Sequence, residues 1–104
     1  MIIFMKQNLI EKVLSGEKIQ TIRAWKRTPP KPGSRCFLNF KIPVIITEAY
    51  QKKISELTRE ELRRDGFLSK REFQKVWLTC YPVFNPDQLV WVILFRPEEI
   101  HKKR

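Results

Sequence analysis

The residue types best able to do chemistry lie in the short segment Gly16–Arg23, which contains a lysine, a threonine and an arginine. Thr21 can act as a nucleophile only if a neighbouring base takes its proton, and Lys18 can be that base only when its amine is neutral. The basic residues that follow, with no carboxylate among them, would lower the pKa of Lys18 by like-charge repulsion. Alternatively, Thr21 is an ordinary β-branched strand residue and Lys18 is a phosphate contact. The segment therefore permits either nucleophilic catalysis or anion binding.

The same segment opens the most one-sided charge run of the chain. From Lys18 to Lys41 there are seven basic residues and no Asp or Glu, so this run supplies +7 of the formal net charge of +10. The rest of the chain carries 14 basic and 11 acidic residues, which is close to balance. Positive charge concentrated in this way indicates an anionic partner.

Five residues at the end of this segment and after it are further candidates for nucleic-acid binding. Arg23 has a planar fork of donors that suits a phosphate or a base edge. Trp25 could stack on a base or belong to the core. The proline-rich loop after it carries three basic side chains, which could contact phosphates without sequence preference or be merely solvated. These loop residues are Lys26, Arg27 and Lys31.

Two carboxylates bear on these candidates. Asp65 could be a catalytic acid, an acceptor that orients a substrate, or a solvated residue at a helix end. The alternative for Arg23 is a salt bridge to the distant Glu48 or to Asp65.

Length and composition limit the classes of protein to consider. A chain of 104 residues with 42% hydrophobic residues is long and apolar enough for one folded domain. We expect residues 1–96 to form that domain and residues 97–104 to be a basic polar tail. No apolar run approaches the ~20 residues of a membrane span, and no signal peptide is present, so we expect a cytoplasmic monomer.

The cysteine and histidine residues give no support for a metal or a cofactor. Cys36 and Cys80 lack C-x-x-C spacing, and His101 is the only histidine. We therefore expect two reduced and mostly buried thiols, no metal and no cofactor. A phosphodiesterase is a weaker hypothesis because a histidine pair is missing. Binding of double-stranded DNA also has little support, since no predicted helix has a basic face free of acids.

The hydrophobic pattern predicts strands and helices in a definite order. The predicted order is a strand at Ile2–Phe4, a helix at Asn8–Leu14 ended by Gly16, a strand at Lys18–Trp25, the proline-rich loop Lys26–Ser34, a strand at Arg35–Phe40, a turn at Lys41–Pro43, a strand at Val44–Tyr50, two helices, and a closing strand at Gln88–Phe95.

The two helices predicted before the closing strand each begin with a capping signal and a hydrophobic staple. In the first, Thr58 and Glu61 form a capping box, flanked by Leu57 and Leu62. In the second, the corresponding residues are Ser69 and Glu72, flanked by Leu68 and Phe73. This pattern predicts an α+β domain with a small, mostly antiparallel sheet or barrel and helices packed at one end.

Four ordered features resemble the ASCH domain (activating signal cointegrator homology). They are a helix ending in Ser-Gly followed by Gly-x-Lys-x-x-Thr-x-Arg, a Pro-Gly loop before a strand, an Asp-Gly-Phe-x-Ser break into a helix with Glu-Phe, and a closing apolar strand ending in Phe. The resemblance covers about Phe4 to Phe95. It implies a small β-barrel similar to the PUA domain of RNA-modifying enzymes.

The resemblance implies two kinds of activity. Most ASCH domains are regarded as modules that bind RNA or nucleotides in a cleft beside the Gly-x-Lys-x-x-Thr-x-Arg segment. One small single-domain branch consists of amidohydrolases that deacetylate N4-acetylcytidine with a lysine, a threonine and a glutamate. Lys18 and Thr21 match the first two positions, and the third falls on Asp65, one methylene shorter than glutamate.

From the residues and the resemblance together we predict a module that binds RNA or a nucleotide. Its basic cleft would be formed by Gly16–Arg23 and the proline-rich loop. The alternative is an N4-acetylcytidine amidohydrolase that uses Lys18, Thr21 and Asp65.

Overall fold

A computed structural model describes residues 2–98 of the chain. Of the predicted tail, residues 97–104, the part from Glu99 onwards, including His101, lies outside the described residues. The elements are β1 (Ile2–Ile3), α1 (Gln7–Ser15), β2 (Gln20–Arg23), β3 (Arg35–Leu38), β4 (Ile42–Lys53), a 3-10 turn (Ile54–Glu56), α2 (Arg59–Arg64), α3 (Lys70–Cys80) and β5 (Leu89–Pro97). No helix in this part of the chain is long and apolar enough to cross a membrane.

The five strands form one sheet in the order β1-β3-β4-β5-β2. The β1–β3 pair is parallel, and the other three pairs are antiparallel. The predicted α+β class and mostly antiparallel sheet are therefore confirmed. The predicted closed barrel is not confirmed, because within residues 2–98 the sheet ends at β1 on one side and at β2 on the other. β1 has only two residues, whereas closure requires edge strands long enough to pair with each other.

The β5 strand lies between two hydrophobic clusters and contributes residues to both. Val90 and Val92 pack in one cluster with α2 and α3. Ile93 and Phe95 pack in the other with α1, β1, β3 and β4. Since successive strand residues point to opposite faces, β5 is covered on both faces, as its continuous apolar sequence predicts. Trp77 is also buried in the first cluster.

The turn between β3 and β4 lies earlier than predicted. A turn at Lys41–Pro43 is wrong, because Pro43 already pairs within β4. The reversal instead uses Asn39 and Phe40, whose φ angles are 51° and 66°, and the Lys41 N–H donates to the Leu38 carbonyl at 3.0 Å. This is the mirror-image turn whose twist suits a hairpin. The sequence pattern missed it because a bulky residue such as phenylalanine rarely adopts a positive φ.

The helix start of α2 is confirmed in detail. The Glu61 N–H donates to Thr58 Oγ1 at 3.1 Å, and the Thr58 N–H donates to Glu61 Oε1 at 2.8 Å. Leu57 and Leu62 are both buried in the same cluster, as a hydrophobic staple requires.

At α3 the cap is confirmed and the staple is wrong. The Glu72 N–H donates to Ser69 Oγ at 3.1 Å, but Leu68 is 89% exposed. Phe67 takes its place, because its ring packs edge to face on Phe73 with the centroids 5.4 Å apart. Gly66, at φ 94°, turns the chain so that Phe67 points inward.

Candidate functional site

A pocket of about 110 Å³ lies beside β2, where the β1–α1 connection, the end of α2 and α3 come together. Its polar lining includes Lys18, Thr21 and Asp65, all of them buried, and Arg23, which is half-buried. Its aromatic lining includes Phe67, Phe73, Trp77 and Tyr81. The fold therefore collects polar groups and aromatic rings in one concave site, as ligand sites require.

The backbone at Lys18 is anchored on two helices. Gly16 ends α1 in the left-handed conformation, with φ 87°. The Lys18 N–H then donates to the Lys12 carbonyl at 3.0 Å, and the Ile19 N–H donates to the Arg64 carbonyl at 2.8 Å. These bonds hold the start of β2 between α1 and α2 and turn the Lys18 side chain inward, where it is 2% exposed.

Lys18 and Asp65 form a buried ion pair. Lys18 Nζ lies 2.9 Å from Asp65 Oδ2 and also donates to the Asp65 carbonyl at 3.1 Å. Burial lowers the pKa of Lys18 and raises the pKa of Asp65, and the attraction between the two partners opposes both shifts. The predicted lowering of the Lys18 pKa is thus present, but its main cause is desolvation rather than like-charge repulsion.

Asp65 is held by the end of α2 and by Gln20. Its N–H donates to the Leu62 carbonyl at 3.1 Å as the helix ends. Gln20 Nε2 donates to Asp65 Oδ1 at 3.2 Å and to the Glu61 carbonyl at 2.7 Å. Among the alternatives for Asp65, a solvated residue at a helix end is wrong, because the side chain is buried.

Thr21 and Arg23 lie two residues apart on β2 and are hydrogen bonded to each other. Arg23 Nε donates to Thr21 Oγ1 at 2.8 Å, and Arg23 Nη2 donates to the Phe4 carbonyl at 2.9 Å. Within residues 2–98, Arg23 has no carboxylate within salt-bridge distance. The alternative that Arg23 forms an ion pair with Glu48 or Asp65 is therefore wrong. The Thr21 hydroxyl accepts this bond and keeps its own proton to donate.

The structure does not bring the proline-rich loop into the pocket lining. Trp25 is half-buried and packs against the hydrophobic cluster that includes α1, β1, β3 and β4. The Arg27 guanidinium lies 4.8 Å from the centroid of the Trp25 ring. Lys26, Arg27 and Lys31 are exposed. The predicted cleft therefore divides into a pocket that contains Lys18, Thr21 and Arg23, and a separate exposed basic loop.

The charge run is also less uniform than its sequence indicates. Lys18 meets Asp65, and Arg35 Nε lies 2.6 Å from Glu98 Oε1. Both carboxylates come from distant parts of the chain, which is why the local sequence could not reveal them.

Three features of the site, one behind the pocket lining and two in it, were not predicted. Gln20 orients Asp65 through a hydrogen bond. In the sequence, Gln20 is only a polar residue next to Thr21 in a predicted strand, and nothing there indicated this role. Tyr81 lines the pocket, and its hydroxyl accepts from the Ala24 N–H at 3.3 Å. Cys80 also lines the pocket and is exposed, so the prediction of mostly buried thiols is wrong for it, whereas Cys36 is buried. Within residues 2–98, no three His, Cys, Asp or Glu side chains gather as a metal site.

Comparison with solved structures gives strong matches at low sequence identity. The ASCH domain from Lactobacillus crispatus has a TM-score of 0.74 and 15% identity, over 86% of this chain and 70% of that one. The ASCH protein from Zymomonas mobilis has a TM-score of 0.62 and 17% identity, over 92% of this chain and 68% of that one. A hypothetical protein has a TM-score of 0.75 and 23% identity, over 93% of this chain and 97% of that one.

This chain has an ASCH-like fold. No family model matches the sequence, and no curated protein matches it either. The assignment therefore rests on the shape of the backbone, and at these identities it extends to the fold of the ASCH-like domain and not to its activity.

Proposed function

We propose that this ASCH-like domain binds single-stranded RNA and takes one nucleotide into the pocket beside β2. The observation that carries the proposal is the pocket itself, in which Lys18, Thr21 and Arg23 lie among aromatic side chains. Aromatic faces stack on any base, and fixed polar groups orient it, which is how single-stranded RNA is bound.

Arg23 is the group in this pocket best able to contact the nucleotide. Two of its five N–H groups bond to Thr21 Oγ1 and the Phe4 carbonyl. The remaining three are directed at no acceptor within the described part of the chain. A guanidinium oriented by two bonds and still carrying free donors suits a phosphate or a base edge.

The proline-rich loop would supply phosphate contacts outside the pocket. It begins two residues beyond the end of β2, and Lys26, Arg27 and Lys31 are exposed without a salt-bridge partner in the described residues. Three prolines stiffen this loop, which reduces the entropy lost when it orders against a ligand.

Binding can be measured by fluorescence anisotropy with a labelled hexacytidylate. If three to five phosphates are neutralised, the affinity should fall about 20- to 100-fold between 50 and 200 mM salt, taking a slope of roughly 0.7 per contact. No binding at the lower salt concentration, or an affinity independent of salt, would refute the proposal.

A charge-reversal pair tests where the RNA lies. Lys26→Glu with Lys31→Glu should weaken binding of the hexanucleotide strongly. Arg71→Glu with Lys75→Glu changes the net charge equally, but these exposed positions lie on the side of α3 opposite Phe73 and Trp77, which face the pocket. Equal losses from both pairs would show that only the overall charge matters.

The second candidate function is hydrolysis of an acetylated cytidine. It is favoured because the buried Lys18–Asp65 pair lines the same pocket as Thr21. Burial lowers the pKa of Lys18, which favours the neutral amine, and raises the pKa of Asp65. The Thr21 oxygen would attack the amide carbonyl as Lys18 takes the hydroxyl proton. Breakage of the C–N bond would return that proton to the leaving amine, and water would then hydrolyse the acetyl ester.

Release of cytidine from N4-acetylcytidine, followed by chromatography, tests this second candidate. Turnover by the wild type and none by Thr21→Ala would support it. The Asp65→Glu variant lengthens the side chain by one methylene and tests whether the carboxyl group must extend further to reach the substrate. Turnover that survives Thr21→Ala would exclude this set of residues.

A further inference from the structure

We propose that Phe4 and Phe40 form a stacking platform for a second RNA base, next to the nucleotide held in the pocket. The two rings meet edge to face with their centroids 5.5 Å apart. They are nevertheless 61% and 67% exposed, so neither ring is used to build the core. This proposal rests on the RNA-binding function proposed above and extends it from one nucleotide to two.

The platform adjoins the pocket directly. Phe4 lines the pocket, and its carbonyl accepts the bond from Arg23 Nη2. A single side chain, Arg23, therefore touches both Thr21 in the pocket and the backbone that carries the platform. A strand of RNA with one nucleotide in the pocket would meet Phe4 at its edge.

Phe40 is held in a conformation that its side chain does not favour. Its φ angle of 66° is in the left-handed region, which bulky residues avoid. Burial does not compensate for this strain, because most of the ring is exposed. A strained residue that is fixed by its surroundings and presents its side chain to solvent is typical of a functional position.

The turn that presents Phe40 is fastened to the segment that carries Phe4. The Met5 N–H donates to Asn39 Oδ1 at 2.8 Å, and Asn39 Nδ2 donates to the Met5 carbonyl at 2.9 Å. This pair of bonds fixes the residue after Phe4 to the residue before Phe40. The two rings therefore have a defined relative position before any ligand binds, which lowers the entropic cost of stacking.

The charge around the platform favours RNA over an apolar partner. Lys6 and Lys41 flank the two rings in sequence and are exposed, and segments 2–6 and 38–42 contain no Asp or Glu. Exposed aromatic rings next to positive charge are the combination that binds single-stranded nucleic acid, where the rings stack and the lysines neutralise phosphates.

The test compares hexacytidylate with cytidine monophosphate on the wild type and three variants. Phe40→Gly removes the ring and places glycine after Asn39, the sequence that this turn prefers, so the fold should be retained. Phe40→Trp restores an aromatic face. Leu14→Ala is a matched control at an exposed apolar residue on α1.

Phe40→Gly should weaken hexanucleotide binding about 5- to 30-fold and leave binding of the mononucleotide unchanged. Phe40→Trp should return the affinity to near the wild-type value, and Leu14→Ala should not change it. An unchanged hexanucleotide affinity in Phe40→Gly would overturn the platform while RNA binding stands. If the wild type binds neither probe, both proposals fail.

Analytical ultracentrifugation separates this proposal from self-association. The wild type and Phe40→Gly should sediment alike. If the wild type is a dimer and Phe40→Gly a monomer, the aromatic pair is a contact between copies of the chain and the platform is overturned.

Discussion

Glu61 in α2 and Asp65 at the C-cap of α2 are buried carboxylates one helical turn apart, and their surroundings differ. Glu61 accepts hydrogen bonds from Tyr50 and Lys52 on β4 and from the Thr58 N–H. Asp65 accepts bonds from Lys18 and Gln20 and lines the pocket, which Glu61 does not.

The two environments shift the carboxylate pKa values in opposite directions. For Glu61, burial raises the pKa, but the hydrogen bonds from Lys52, Tyr50 and Thr58 outweigh it and lower the pKa to about 2. For Asp65, burial is the dominant effect and leaves the pKa raised in spite of Lys18 and Gln20. Burial and the bond to Glu61 raise the pKa of Tyr50 to about 12.

The comparison separates a structural acid from a candidate functional one. A carboxylate saturated with donors is fixed in its charged form, so its contribution is to stability. A buried carboxylate with a raised pKa, beside an amine with a lowered pKa, retains proton affinity that chemistry could use. Both kinds occur here within five residues of the same helix end, and four predictions test the distinction.

The largest expected effect comes from breaking the buried pair. Lys18→Met leaves the Asp65 carboxylate buried without its cation and should lower the free energy of unfolding by about 3–5 kcal/mol. Adding Asp65→Leu replaces the pair with apolar groups and should bring the stability to within about 1 kcal/mol of the wild type, because desolvation offsets most of the attraction in a buried pair. Urea unfolding at neutral pH measures both.

A double variant as unstable as Lys18→Met would contradict this account and assign the pair a net structural role. If the comparison is right, the double variant is stable but fails both to bind hexacytidylate and to release cytidine.

Glu61→Gln should remove stability that depends on charge, by about 3 kcal/mol above the unfolded pKa. Because the folded pKa of about 2 lies below the ordinary value of 4.5, this contribution is complete above about pH 4.5 and is lost as the pH falls towards 2. The difference in unfolding free energy between wild type and variant should therefore shrink as the pH is lowered.

The measurement is urea unfolding at a series of pH values from neutral to acidic. The folded Glu61→Gln variant should keep its affinity for hexacytidylate, because Glu61 does not line the pocket. A gap in stability that stays constant with pH would show that geometry rather than charge makes Glu61 important.

Gln20→Met should have an intermediate effect. Gln20 connects the Asp65 carboxylate to the backbone of α2, since its amide nitrogen bonds to Asp65 Oδ1 and to the backbone carbonyl of Glu61 while its oxygen accepts from Arg64 Nε at 3.1 Å. Losing these bonds should cost about 1–3 kcal/mol and raise the pKa of Asp65 further.

Gln51→Met is the matched control on β4, where Gln51 is exposed and the substitution should change stability by less than about 0.5 kcal/mol. If thermal and urea unfolding find the two variants equally stable, the hydrogen bonds of Gln20 make no net contribution to the free energy of unfolding.

The smallest effect is expected at a third carboxylate of α2. Glu60 is exposed and lies 3.6 Å from Arg64 Nη1, a distance typical of a surface ion pair. Glu60→Ala should therefore cost about 0.5 kcal/mol or less and respond to salt. A cost as large as that of Glu61→Gln would show that position on the helix, rather than burial, sets the importance of these acids.

Local signals in the sequence predicted much of the fold. The cap at Thr58, the helix end at Gly16 and the covered strand β5 are all present. Each depends on residues within a few positions of one another, where hydrogen bonds and side-chain period are fixed by backbone geometry. The turn at Asn39 and Phe40 was missed for two reasons. Phenylalanine rarely adopts a positive φ, and Asn39 is held by hydrogen bonds to Met5, which is remote in sequence.

The sequence alone determined that one short segment supplies a lysine, a threonine and an arginine, and that positive charge is concentrated from this segment to Lys41. Only the tertiary structure decided that Lys18 is buried against Asp65, 47 residues away, and that the proline-rich loop lies outside the pocket lining. The physical reason is that desolvation and ion pairing depend on which distant groups the fold brings together, and these two effects set the pKa values on which the chemistry of the site depends.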